Sequence, residues 1–339
     1  MHISNASPGM ILAQDIFDES GTLLLEKGIQ LTTRYLKRLE RLRISSLRVY
    51  DPIAEKLKER SAISAELRGE IELCFQSLYQ LQTSRLPNPK LSTSYLKQLE
   101  TLVGAAIEES KRQLPDILHI QIRQPEENEM THAINVCLLS LITGLTLGLS
   151  RPELEELGIG ALLHDIGKAV QLSNPPHNDI PDLHPLYGRN LLTLLARNVT
   201  ACRIAAEHHE RYDGSGFPLG RAREQLHPHA QIVAIANYFD NALRASLLSG
   251  TPRQEVLEEM MSKGNTLFDL RLLTTFLHAV PLFSVGNLVR LNTGETGYVT
   301  ANHAHFPLRP QLHLPNEGGG RSIDLMQTST LTICEVIEE

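Results

Sequence analysis

Apolar positions along this chain change their spacing three times, and each change marks a different kind of structure. Between residues 3 and 51 they come in short pieces. Met10-Ile11-Leu12-Ala13 and Leu23-Leu24-Leu25 flank a Ser20-Gly21 turn, a helical stretch follows over 32–42, and the strand-like Leu47-Arg48-Val49-Tyr50 ends at Pro52. A small α/β domain is expected over 1–52. From 53 to about 114 the chain is charged and helical in period, interrupted at Pro87-Asn88-Pro89, which predicts two long helices within a connector over 53–125. They would serve as a signalling stalk or as packing helices. The longest regular stretch comes next, with helical spacing over 131–148, 152–172, 185–197, 200–212, 228–245, 251–262 and 268–278. It predicts an all-helical domain over 126–280. After Pro281 the period shortens to β-like runs, Leu288–Leu291, 297–300, Gln311–Leu314 and 331–334, separated by turn residues and Gly318-Gly319-Gly320. A β-rich unit over 281–339 closes the chain, so the fold class is mainly α with a small domain at each end.

Composition narrows the setting. With 42% hydrophobic and 21% charged residues, no Trp and 5% aromatics, the chain reads as a soluble globular protein with an aliphatic interior. The most apolar run, 133–149, is short and carries Asn135, Ser140, Thr143 and Gly144, so it is a buried helix rather than a membrane span. Met1-His2-Ile3-Ser4-Asn5 lacks the basic and apolar regions of a secretion signal, and a cytoplasmic protein is expected. The four cysteines are scattered without a CxxC pair, which argues against a disulfide framework and a zinc ribbon. A net charge of -7 disfavours long nucleic acid, though a small anionic ligand needs only a local basic pocket.

Candidate chemistry concentrates in the helical domain, where eight of the 14 histidines lie between His132 and His229. Within Ala161-Leu162-Leu163-His164-Asp165-Ile166-Gly167-Lys168, two metal-ligand types stand side by side. On a helix, Lys168 would share their face and could approach an anion held there. His208 and His209, if helical, point about 100° apart, a geometry that suits two neighbouring metals better than one. His132 and His184 are singletons that would by themselves be read as structural. The loop Tyr212-Asp213-Gly214-Ser215-Gly216-Phe217-Pro218 has glycines that permit close backbone approach, or make an ordinary turn. Arg211, Arg221 and Arg223 are candidates to balance ligand phosphates or are plain surface cations. His177, His227 and His229 read as solvated, and Cys137 and Cys202 as core.

Together these pieces resemble the HD-GYP family of HD phosphohydrolases, in the order that family requires. The likeness is carried by Thr131-His132-Ala133-Ile134-Asn135-Val136, by Leu162 to Lys168, by His184-Pro185-Leu186-Tyr187-Gly188, and by His208-His209-Glu210-Arg211-Tyr212-Asp213-Gly214-Ser215-Gly216-Phe217-Pro218. The last is the family signature with Phe217 in place of Tyr. The resemblance implies an HD-type helical bundle that hydrolyses cyclic di-GMP to pGpG or GMP. It implies two divalent transition-metal ions, iron or manganese first, with nickel or zinc also suited to such ligands. The implied metal ligands are His132, His164, Asp165 as the bridging carboxylate, His184, His208, His209 and Asn237. Asp165 and Lys168 would be catalytic, with Lys168 on the scissile phosphate and Arg211, Asp213, Gly216 and Phe217 shaping the substrate pocket.

The chain also departs from the family pattern. Asn237 stands where an Asp ligand is usual, and its neutral amide should hold one metal less firmly. Asn128 replaces the Glu of trinuclear members, and the segment 174–183 is short and altered. Slow turnover is therefore expected. The alternative is a degenerate member acting as a cyclic-dinucleotide sensor or an interaction module. A signalling-protein partner and a homo-oligomer are both compatible with this reading; a membrane is not.

Overall fold

The computed structural model describes residues 3, 6, 8–17, 22–42, 44, 47, 49–50, 62–84, 88–113, 129–173, 183–195, 199–303, 305–315 and 320–337. The chain divides into two units, 1–58 and 59–339. In the first, β1 (Ile11–Leu12), β2 (Ile16–Phe17), β3 (Leu23–Leu25), α1 (Thr33–Arg41) and β4 (Val49–Tyr50) follow one another. Two antiparallel ladders, β1 with β4 and β2 with β3, frame the helix. Thr32 caps α1 by accepting from the Tyr35 backbone N–H at 3.2 Å. Ile3, Leu12, Ile16, Leu31, Leu36, Leu39 and Leu47 make an aliphatic core. β2 escapes the sequence pattern because two residues are too few to show alternation.

The second unit opens with α2 (Ala65–Gln82) and α3 (Pro89–Gln113), which pack on each other and share a buried hydrogen bond from Gln82 Nε2 to Ser92 Oγ at 2.9 Å. The pair also packs against the next helix, α4 (Glu129–Thr146), so it serves as part of the bundle. Every side chain of α4 from Met130 to Gly144 is buried. A helix buried all round must satisfy its polar groups inside the protein, and this places His132 and Asn135 in the interior. Around α4 run α5 (Arg151–Leu162), α6 (Gly167–Ser173), α7 (His184–Leu194), α8 (Val199–Glu207), α9 (Pro228–Ser249), α10 (Arg253–Ser262) and α11 (Leu270–Ala279).

Two expected helices end early. The stretch 152–172 is two helices, α5 and α6, with a turn over 163–166 between them, and 200–212 stops at Glu207. Both breaks fall at the candidate ligands. Spacing alone hides the first because Leu163 and Ile166 continue the apolar pattern through a buried turn, and the second because the charged and polar run 208–211 reads equally well as the exposed end of a helix.

The C-terminal part is a five-stranded antiparallel sheet of β5 (Leu288–Leu291), β6 (Thr296–Ala301), β7 (Gln311–Leu314), β8 (Arg321–Asp324) and β9 (Ile333–Ile337), in the order β8-β7-β6-β5-β9. Val289, Leu291, Val299, Leu312, Leu314 and Ile333 line its core. The edge strand β8 reads Arg-Ser-Ile-Asp and lacks an apolar face, so only its pairing with β7 reveals it. Among the described residues, no helix is long and apolar enough to cross a membrane.

Candidate metal centre and active site

Asp165 is the hub of the site, and the break between α5 and α6 puts it there. α5 ends at Leu162, the chain turns, and α6 begins at Gly167. A β-carbon at Gly167 would collide with the carbonyl oxygen of His184 and the backbone nitrogen of Gly188. Glycine therefore lets the start of α6 touch the start of α7, where His184 lies. Asp165 Oδ1 is 3.0 Å from His184 Nε2 and 3.3 Å from His208 Nε2. Its Oδ2 is 3.3 Å from His164 Nε2 and 3.8 Å from His132 Nε2. Each oxygen thus faces its own pair of imidazoles.

The far sides of these rings decide what the near sides can do. His164 Nδ1 donates to the Ala161 carbonyl at 2.8 Å and His208 Nδ1 to the Ala205 carbonyl at 3.0 Å. His132 Nδ1 lies 2.6 Å from Asp240 Oδ2. In the neutral rings the proton must therefore sit on Nδ1, and all three Nε2 atoms carry lone pairs aimed at a carboxylate. His164 Nε2 and Asp165 Oδ1 are buried without a hydrogen bond of acceptable geometry. His184 Nε2 and His208 Nε2 stand 3.2 Å apart. So many acceptors converging on one buried volume repel one another unless a cation lies between them, and imidazole with carboxylate is a donor set that transition metals accept. These residues fit metal ions. Two candidate groups emerge, Asp165 with His184, His208 and His209, and Asp165 with His132 and His164.

Adjacent histidines were expected to serve two metals, yet His208 and His209 fall in one group. The 100° argument needs a helix, and α8 has ended at Glu207, so the two rings lie 4.2 Å apart at 47°. Burial first, then the neighbouring histidine charges, lowers His208 to about 4 and His209 to about 2. Both rings are neutral near pH 7, the form that ligates. For Asp165, burial alone would raise the pKa; the imidazoles of His164, His184 and His208 gathered around it outweigh burial and hold the carboxyl well below its usual range.

Lys168 lies beside this centre, 2.7 Å from Asp165 Oδ2 and 3.1 Å from Glu129 Oε2. Burial works against its charge, but the two carboxylates prevail and raise its pKa, so it stays an ammonium. Glu129, at the start of α4, thus meets Lys168 and belongs to neither metal group. Tyr79 on α2 is a neighbour that spacing could not suggest. Its phenol is pushed up by burial and by the charge of Glu129, with Lys168 opposing.

The signature loop is held from below by two buried carboxylates. Glu210 accepts from the backbone N–H groups of Leu219 at 2.6 Å and Arg221 at 3.0 Å. Glu207 pairs with Arg203 and Arg221 and accepts from His227 N–H at 2.8 Å. Gly216 passes so close that a β-carbon would strike the backbone of Glu210 and Arg211. Phe217 then stacks on His209, centroids 4.7 Å apart and 13° from parallel. It is the loop residue in direct contact with a candidate ligand. Asp213 is exposed and caps its own turn through Ser215 N–H at 2.9 Å, and Arg211 is exposed beside Ser215.

Asn237 is buried on α9, where its Oδ1 accepts from Asn241 Nδ2 at 2.8 Å. Asp240, one turn on, holds His132 Nδ1 and accepts from Asn135 Nδ2 at 2.9 Å. It is an orienting carboxylate behind a candidate ligand. Asn135, a polar residue inside an apolar helix, was the signal that could have found this contact. Asn128 and the segment 174–182 lie outside the described residues.

Residues 114–272 match the HD domain family, and residues 288–339 match the KOW domain associated with HD domains. The chain is 28% identical over 270 residues to the cyclic di-GMP phosphodiesterase PA4108 of Pseudomonas aeruginosa, covering 75% of this chain and 64% of that one. It is 33% identical over 160 residues to the cyclic di-GMP phosphodiesterase response regulator RpfG of Xanthomonas campestris pv. campestris, covering 41% of each. Among solved structures, the HDG"Y"P protein Bd1817 of Bdellovibrio bacteriovorus aligns with a TM-score of 0.47 at 16% identity, over 81% of this chain and 97% of that one. The chain spans 64% and 41% of the two curated relatives. The segment that matches the HD domain, 114–272, contains every residue of both candidate metal groups. More narrowly, the signature over 208–218 is similar to that of HD-GYP domain proteins.

Proposed function

We propose that the protein is a metal-dependent phosphodiesterase that hydrolyses cyclic di-GMP to pGpG or GMP, with slow turnover. The observation that carries this reading is the division of Asp165, whose Oδ1 faces His184 and His208 while Oδ2 faces His132 and His164. One carboxylate serving two clusters of imidazole lone pairs suits a pair of divalent ions, with iron or manganese foremost. When bound, such ions supply a nucleophile from water at neutral pH and offset charge on the phosphodiester oxygens. Asp165, His132 and His164 would hold one ion, and Asp165, His184, His208 and His209 the other. The curated relatives named for cyclic di-GMP hydrolysis support the substrate.

The chain's own residues would do the rest. Lys168, charged and held by Asp165 and Glu129, can turn its ammonium toward a phosphate oxygen and strengthen that contact as charge develops. Phe217, flat against His209 and 40% exposed, offers a surface on which a nucleobase can stack. Arg211 stands nearby to meet a phosphate, with Asp213 and Gly216 holding the turn.

The test is to incubate the full chain with cyclic di-GMP and manganese or ferrous iron, following binding and product together. Product should accumulate slowly, and Lys168→Ala should lower kcat by about 10-fold or more while changing binding less. Tight binding without product under any metal, unchanged by Lys168→Ala, would identify a cyclic-dinucleotide sensor instead.

A further inference from the structure

Helix α2 precedes the matched HD domain, yet one of its side chains is wired to the candidate metal centre. Arg68 Nη2 donates to Asn135 Oδ1 at 3.1 Å, Asn135 Nδ2 donates to Asp240 Oδ1 at 2.9 Å, and Asp240 Oδ2 meets His132 Nδ1 at 2.6 Å. The ring's other nitrogen faces Asp165. Every link in this chain has a fixed direction. A guanidinium has only donors, so the amide of Asn135 must turn its oxygen toward α2 and its NH2 toward Asp240. Asp240, receiving a donor on each oxygen, keeps the His132 proton on Nδ1. Asn135, His132 and Asp240 are all buried, whereas Arg68 is half-buried at the rim.

We infer that Arg68 is a positioning residue for the metal site, acting through the hydrogen-bonded chain Arg68–Asn135–Asp240–His132, so that the helix before the HD domain sets how firmly one of the two ions is held. Without the guanidinium, the amide loses the donor that polarises it and anchors its oxygen side, so its N–H bond to Asp240 weakens and the carboxylate that fixes the tautomer of His132 is held less firmly. The effect should be confined to the ion shared by His132, His164 and Asp165. The group of His184, His208 and His209 has no part in the chain. The helices are held in register by more than this link, since α2 packs against α4 and α6. Loss of Arg68 should therefore leave the fold intact.

This inference rests on the proposed ligation by His132, His164 and Asp165, and the experiment separates the two. The metal-free full chain is titrated with manganese, with two affinities resolved by calorimetry or paramagnetic resonance, and with melting of the metal-free form recorded alongside. His132→Ala identifies the ion concerned. Arg68→Met and, independently, Asn135→Leu should weaken that ion by about 10-fold or more and change the other by less than about twofold. Arg68→Lys should recover part of the loss. The double variant should be no weaker than Asn135→Leu alone, because both substitutions cut the same chain. Unchanged affinities in Arg68→Met would overturn the inference while leaving the metal site standing. So would an equal weakening of both ions with a matching fall in metal-free melting temperature, which marks a merely structural residue. A wild-type chain that takes up no manganese would overturn the ligation and the inference together.

Discussion

Asn237 and the paired histidines show how much single groups matter at this site. Asn237 already has an acceptor role toward Asn241, which a carboxylate would preserve. Asn237→Asp should therefore fold normally and add a negative charge beside the proposed ions. Metal affinity should rise by about tenfold, equivalent to about 1.4 kcal/mol, with a faster turnover; calorimetric titration with manganese and a product assay measure the two. No change in either would place Asn237 outside the metal shell. The histidines predict a pH response of the metal-free protein. His208 and His209 have folded values of about 4 and about 2 against 6.5 for the free group. Below pH 6.5 the unfolded chain takes up protons that the native chain refuses, so stability is full above that value and falls with decreasing pH. Melting temperature after chelation should drop between pH 7 and pH 4.5, and His209→Gln should flatten that slope. A flat profile in the unsubstituted protein would contradict it.

At the scale of elements, the site is made of helix ends. His164 and Asp165 follow α5, Lys168 opens α6, His184 opens α7, and His208 and His209 follow α8. Turns at these ends let neighbouring side chains point the same way, which a continuous helix forbids. The signature loop extends the same device, clamped by Glu207 and Glu210 beneath it. Gly216→Ala tests the clamp, because the added methyl meets the backbone of Glu210 and Arg211 rather than a side chain that could move. Relief requires lifting the loop, at a cost of about 1–3 kcal/mol, and would separate Phe217 from His209. Urea unfolding should register that loss of stability. Substrate binding should weaken as well, and a neutral substitution would mean that the loop is slack.

For the whole molecule, the two proposed ions make a direct demand on stoichiometry. The full chain prepared with metal under reducing conditions should carry about two transition-metal ions, and elemental analysis after desalting measures this. His164→Ala with Asp165→Ala should remove both, since Asp165 belongs to each group. Less than about half an ion in the unsubstituted protein, unaffected by these changes, would sink the metal reading. Much of this molecule was legible in its residues. Helical spacing located α4 and α9 to within a few residues, and the order of His132, His164, Asp165, His184 and His208-His209 carried the family resemblance. These features are local, set by periodicity and by residue type, and need no knowledge of the fold. The breaks after Leu162 and Glu207 were not legible, because Leu163 and Ile166 carry the apolar pattern through the first turn and the polar run 208–211 at the second could equally end a helix. Nor were the contacts of Arg68, Tyr79 and Asp240, which reach the site across 67 to 108 positions of chain or by charge alone. A histidine's usefulness as a ligand depends on which nitrogen holds the proton. Only the tertiary structure, by placing a carbonyl or a carboxylate behind each ring, decides that.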